Sequence, residues 1–212
     1  MPRALPCNRD YLRQLRQRRD WTQADLARRA GYSERLIIKA ESGSSIAVET
    51  ISDLAEALSD EGEPVFWEDL ASNPVQLAQR YIHTLHVHQK EAIDHLADMI
   101  DPEAVFRVAG DPRDIPFAGE HHGIDEIRRT FDLFFSVLEV PPHDFASCYQ
   151  YICQGPDAVV WGDSWIHPIG RPLKEPIRVT NLLRFRRGKL IFLDDCYDTA
   201  AGAACLRNRP KA

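Results

Sequence analysis

The chain has 212 residues, 44% of them hydrophobic and 27% charged, with 14 Pro and 11 Gly, so it has the composition and the length for one large or two small globular domains. The formal net charge of −6 argues against binding nucleic acid through bulk charge, but the surplus is uneven. Residues 1–60 carry ten Lys/Arg against nine Asp/Glu, so the acidic excess lies in the remainder and leaves open a local DNA-binding face.

No apolar run approaches the roughly 18 residues of a membrane span. The opening Met1-Pro2-Arg3-Ala4-Leu5-Pro6-Cys7 lacks an apolar segment and does not read as a signal peptide. A cytoplasmic protein is expected. Its five cysteines are odd in number and scattered, and are expected to be reduced.

In chain order, Asp10 to Arg18 reads as a helix with Leu12 and Leu15 inward. Thr22 can cap a second helix, with Asp25 completing a capping box. Leu26, Ala27 and Ala30 form its apolar stripe, and Gly31 supplies the left-handed residue that stops it. Ser33 is placed to cap a third helix, whose inner face is Leu36, Ile37 and Ala40. Ala47 to Leu58 reads as a fourth helix. Glu63 to Trp67 starts a short fifth, with Pro64 in its first turn.

These residues, from about Arg9 to Leu58, resemble the helix-turn-helix of the Cro/CI-type (XRE) repressors. The resemblance implies that the helix after Gly31 enters the major groove of double-stranded operator DNA. It assigns base reading to Ser33, Glu34, Arg35, Ile38 and Lys39, and a phosphate contact to Gln23 at the start of the second helix. Arg35 suits a guanine edge, Glu34 a cytosine amine and Ile38 a thymine methyl. The resemblance also makes Arg16 and Glu41 a structural ion pair between the first and third helices.

Ala71-Ser72-Asn73-Pro74 interrupts the pattern, and domains are expected at 1–72 and 73–205, with a tail at 206–212. Val75 to His88 and Lys90 to Ile100 read as helices, and Ala104 to Val108 as a strand. A Pro/Gly-rich loop spans Gly110 to Gly123, followed by a helix from Ile124 to Leu138. Strands follow at Phe145–Gln154, Ala158–Ile166, Ile177–Phe185 and Lys189–Tyr197. The fold class expected is an all-α helix-turn-helix bundle followed by an α+β cone, in which a curved antiparallel sheet wraps three helices.

The element order, the stretch Pro116-Phe117-Ala118-Gly119-Glu120-His121-His122-Gly123, and the closing Arg187-Gly188-Lys189-Leu190 and Tyr197-Asp198 resemble the SnoaL-like branch of the nuclear transport factor 2-like fold. That resemblance implies an apolar pocket inside the cone and a homodimer through the outer sheet face. Compared with the ketosteroid isomerases of this fold, Tyr81 stands at the tyrosine position and Asn181 at the hydrogen-bond donor position. The base position falls near Val108, where no carboxylate stands within two residues, so no catalytic residue is assigned and an enzyme is not the favoured expectation.

Pocket residues are expected to be Tyr81, Asn181 and one face of the second cone strand, Trp161, Asp163 and Trp165. Asp194 and Asp195 alternate, so one of them points inward, where pairing with Asp163 would raise its pKa. His83 and His86 have helical spacing for zinc but no assignable third ligand, so neither metal nor cofactor is expected. His121 and His122 are candidates for the pocket mouth. The reading at this point is a dimeric, sequence-specific regulator whose cone binds a small apolar metabolite. Two alternatives stay open: an active cyclase, isomerase or hydrolase, or a filled cone that serves only to dimerise.

Overall fold

The computed structural model describes residues 3–60, 62–142 and 148–207. The chain divides into two compact units. The first is residues 1–74 with 153–157 and 185–188, and the second is 75–152, 158–184 and 189–212.

The first unit is built on five helices: α1 (Arg9–Arg18), α2 (Gln23–Ala30), α3 (Glu34–Glu41), α4 (Val48–Leu58) and α5 (Trp67–Leu70). Its ends are set locally. Thr22 Oγ1 accepts the Asp25 N–H while the Asp25 carboxylate accepts the Thr22 N–H, the reciprocal box expected from the sequence. Gly31 closes α2 at φ 74°, a left-handed position open to glycine at no steric cost. Ser33 holds the extended N-cap conformation of α3 but makes no side-chain cap bond.

Leu12, Leu15, Leu26, Ile37, Ile51, Leu54, Leu58 and Leu70 are fully buried and form one core. Three elements differ from expectation. Strands β1 (Ala4–Pro6) and β2 (Ser45–Ala47) pair antiparallel, Leu5 opposite Ile46, and each is too short to show a period. The fifth helix begins at Trp67, so Pro64 precedes it rather than opening it.

The second unit opens with α6 (Pro74–His88), a short 3₁₀ turn (Gln89–Glu91) and α7 (Ala92–Leu96). Next come β3 (Ile100–Val108), β4 (Gly119–His122) and α8 (Gly123–Val137). Strand β5 (Leu138–Glu139) precedes β6 (Tyr149–Gln154), β7 (Asp157–Ser164) and β8 (His167–Pro168). The chain ends with β9 (Ile177–Arg186), β10 (Lys189–Tyr197) and α9 (Thr199–Arg207). The expected strand start at Phe145 and Ser147 lies outside the described residues.

Six strands form one sheet in the order β4-β3-β10-β9-β7-β6. The sheet is mixed, not wholly antiparallel: β10 returns beside β3 in parallel, with Leu193 opposite Phe106 and Asp195 opposite Val108. Parallel neighbours need a long connection, here the whole segment from β4 through β9. Arg187 and Gly188 both have positive φ, which matches the two-residue turn that joins twisted antiparallel strands β9 and β10. Edge strand β4 sits in what reads as loop sequence because Pro and Gly flank it. Helix α9 was not expected at all, and it takes Leu206 and Arg207 from the supposed tail.

Candidate functional site

The first candidate is the outer face of α3. Ile37 and Ala40 bury the inner side, which turns Ser33, Glu34, Arg35, Ile38 and Lys39 to solvent, Ile38 at 51% exposure. An isoleucine left half exposed beside Arg35 and Lys39 gives a mixed apolar and cationic strip on one short helix.

Behind this strip, Glu41 is buried with 2% side-chain exposure. Arg16 donates to it twice, Nε to Oε1 at 2.6 Å and Nη2 to Oε2 at 3.1 Å, and Arg13 stands 3.7 Å away. Burial alone would raise the Glu41 pKa, but the bonds from Arg16 and Gln23 and the two nearby cations outweigh it and hold the carboxyl below its usual range. Gln23 Nε2 donates to Glu41 Oε2 at 2.9 Å. In this structure Gln23 therefore braces α2 against α3 through one of its amide N–H donors.

The second candidate is a cavity of about 140 Å³ inside the cone. Its wall is apolar: Ile82, Leu85 and Tyr81 from α6, Phe106 and Val108 from β3, Ile127, Phe131 and Phe134 from α8, and Leu193 from β10. Helix α9 closes one side with Gly202, Cys205 and Leu206. The pairing of β5 with β8 brings Leu138 and Pro168 to the rim.

Polar groups meet the cavity from several strands. Asn181 Nδ2 donates to Asp195 Oδ1 at 2.6 Å. Asp195 is half-buried in the cavity wall. This burial pushes its pKa up to about 6. The Asn181 bond opposes the shift, and the charge of Asp194 adds to it. Burial likewise raises the hydroxyls of Tyr81, Tyr149 and Tyr197, with the Asp195 charge adding in each case, so all three stay protonated at neutral pH.

His86, fully enclosed on α6, places Nδ1 2.7 Å from the Ile82 carbonyl and Nε2 3.2 Å from the Tyr149 hydroxyl. The carbonyl can only accept, so Nδ1 carries the proton and Tyr149 donates to Nε2. His86 is thus occupied within the core. His121 Nε2 lies 3.0 Å from the Phe117 carbonyl and His122 Nε2 3.1 Å from Glu120, both on edge strand β4 and outside the cavity lining.

The structure therefore brings Tyr81 and Asn181 to one cavity. It does not bring Trp161, Asp163 and Trp165 there. In β7 the buried set is Ala158, Val160, Gly162 and Ser164, so the cavity receives Ser164 and the tryptophans stand on the outer sheet face. Asp163 on that outer face pairs with Arg178 at 3.0 Å. Gly162 shows why the strand faces this way. A Cβ there would stand 2.0 Å from the Cys148 carbonyl, so no larger side chain fits at that inward position.

The expectation of no carboxylate beside Val108 also needs correction. None is near in sequence, but Asp195 is its register partner on β10, and both line the cavity. The alternation of Asp194 and Asp195 was the available signal. The bulge between Leu190 and Phe192 hides which of them faces inward.

Against known proteins, a helix-turn-helix family model matches residues 12–59, and the model for the SnoaL-like domain matches 78–192. No curated protein matches the chain. Among solved structures, an NTF2-like protein of unknown function from Burkholderia pseudomallei is 19% identical, with a TM-score of 0.52 over 64% of this chain and 98% of its own. An NTF2-like protein from Burkholderia xenovorans is 17% identical, with a TM-score of 0.51 over 63% and 95%. TerC, co-crystallised with polyporic acid, is 16% identical, with a TM-score of 0.50 over 64% and 100%. At such identities the likeness is one of fold. The family match covers more than half the chain and the cone is built as in those structures, so the chain belongs to the SnoaL-like family, its nuclear transport factor 2-like domain following an XRE-type helix-turn-helix.

Proposed function

We propose that the protein is a DNA-binding transcriptional regulator that acts as a homodimer and responds to a small apolar metabolite held in the cone. The observation that carries the DNA half is the exposed strip Ser33, Glu34, Arg35, Ile38 and Lys39 on a helix whose opposite side is locked by the Glu41 network. A reading helix works only if its axis is fixed, and the buried Arg16–Glu41 pair supplies that. Glu34 repels phosphate, and the domain is nearly neutral, so one copy grips weakly. Two copies presenting α3 about 34–36 Å apart would meet successive major grooves.

The outer sheet face suits the pairing. Trp161, Trp165, Leu182, Phe192 and the half-exposed Ile152 lie there among Arg178, Arg184, Asp163 and Asp194. Ligand binding in the cone would alter operator affinity only by favouring one dimer geometry, and the coupling must be reciprocal. Selection of bound duplexes from random DNA, followed by titration of the enriched site with and without a metabolite library, tests the proposal. Recovery of no sequence preference, or of half-sites without two-fold symmetry, would refute it.

One observation favours a second reading, acid–base catalysis in the cone. Asp195, with its pKa near 6, shares the cavity with Tyr81 and Asn181 and stands beside Val108. Among the described residues Asp195 is the only carboxylate in the lining, so a mechanism that needs two is not supported. Turnover that disappears in Asp195→Asn would establish this reading.

A further inference from the structure

The cavity contains one charge and nothing to balance it. Among the described residues Asp195 is the only carboxylate in the lining, and no Lys, Arg or His lines it. Asn181 occupies Oδ1, while Oδ2 has no hydrogen-bond partner among the described residues. A carboxylate taken out of water is costly unless it is paired, so the unfilled oxygen and the missing cation describe what the ligand should bring. The surrounding wall is aromatic: Tyr81 meets Phe106 edge-on at 6.2 Å, and Phe106 lies 6.4 Å from Phe131. Aromatic faces attract a desolvated ammonium as well as packing its apolar body.

We propose that the cone binds a small apolar amine, its ammonium seated on Asp195 Oδ2 and its body among Phe106, Phe131 and Phe134. This rests on the cone being a ligand site, as set out under Proposed function. Size follows from the cavity of about 140 Å³, since an apolar void near 150 Å³ takes up benzene. A single ring with a short aminoalkyl arm fits that volume. A metal ion does not suit the site, because a hard cation needs six or more oxygen ligands and the cavity has one carboxylate. A neutral ligand that fills the same space would leave the ionised Asp195 carboxylate without a partner at Oδ2.

The charged and titratable neighbours support the same assignment. Tyr81 from α6, Tyr149 from β6 and Tyr197 from β10 remain neutral hydroxyls. The Tyr197 hydroxyl is buried without a partner among the described residues, and Cys205 is a free thiol on α9. Asp194, on the outer face, adds negative potential and is itself 3.8 Å from Arg107, which also holds Glu120. His86 stands behind the cavity wall, bonded to Tyr149.

The test is calorimetric titration of the full chain with benzylamine, benzyl alcohol and toluene. One charge-assisted bond corresponds to about a tenfold preference, so benzylamine should bind about tenfold tighter than either neutral probe at pH 7.5. An alkylammonium, with a pKa of about 10, stays charged down to acidic pH. Asp195, titrating near 6, does not, so benzylamine affinity should fall roughly tenfold between about pH 7.5 and pH 5 while toluene affinity stays level. In Asp195→Asn the amine preference and its pH dependence should vanish, with toluene binding retained as proof that the cavity is intact. The wild-type pH profile carries the test if that variant fails to fold. Neutral probes that bind as well as benzylamine would overturn the amine assignment and leave the cone a ligand site. Failure of all three probes to bind would overturn both.

Discussion

Replacing Arg16 by Met removes the principal partner of a carboxylate that has almost no access to water. Glu41 has 2% side-chain exposure and Arg16 11%, so the pair counts as buried. Removing one member of such a pair typically costs 3–5 kcal/mol, because the other charge stays buried. Gln23 at 2.9 Å and Arg13 at 3.7 Å remain, and Arg13 is half exposed, which places the expected loss at about 3 kcal/mol. In a chain of this length 1 kcal/mol shifts Tm by about 2–4 °C, so thermal unfolding should occur about 6–12 °C lower.

The pH dependence has a definite sign. In the wild type the folded Glu41 pKa is depressed, so its contribution is full above the unfolded value near 4.5 and is lost as pH falls through the folded value. In Arg16→Met, burial dominates and raises the folded pKa, so protonation relieves the defect on acidification. The gap between the two proteins should therefore be widest near neutral pH and close as pH falls below about 4.5. Arg16→Met combined with Glu41→Gln should recover part of the loss, because no uncompensated charge is left. Differential scanning calorimetry across pH reads all three. A gap that is below about 1 kcal/mol, or that does not change with pH, would refute the reasoning.

Arg35→Ala should cost about 1–3 kcal/mol and relax preference at one base pair of the selected operator, while Lys39→Ala should weaken all sequences alike and lower the salt slope by about 1; competition binding at several salt concentrations separates the two. Trp161→Lys places a charge on the outer sheet face, and light scattering should show a shift from dimer to monomer with the secondary structure unchanged. A Cβ at Gly202 would stand 2.9 Å from the Tyr197 ring, so Gly202→Val should displace α9 and weaken toluene binding several-fold or more. Unaltered binding of the probe would mean that α9 does not close the cavity.

The parts of this protein that are legible in its sequence are those that short-range chemistry determines. Thr22 with Asp25, Gly31 after the Leu26–Ala30 stripe, and the 3.6-residue period of α3 each act within one or two turns, so the helix-turn-helix and the exposed set from Ser33 to Lys39 could be read directly. Helix α8 and the β9–β10 turn were legible for the same reason. Pairings between distant residues were not. Asp195 reaches Val108 only because β10 lies parallel to β3, a register set by the packing of every element between them. In β7 the period of two was clear, but which set faces inward was not. Hydrophobicity favoured Trp161 and Trp165, yet the interior accepts Ala158, Val160, Gly162 and Ser164, and at Gly162 neighbouring backbone leaves no room for a side chain. Helix α9 has a weak apolar pattern and depends on Ile115 and Tyr197 to hold it. Local sequence thus specified the helix-turn-helix, whereas the charge, size and closure of the cavity depended on contacts between segments far apart in the chain.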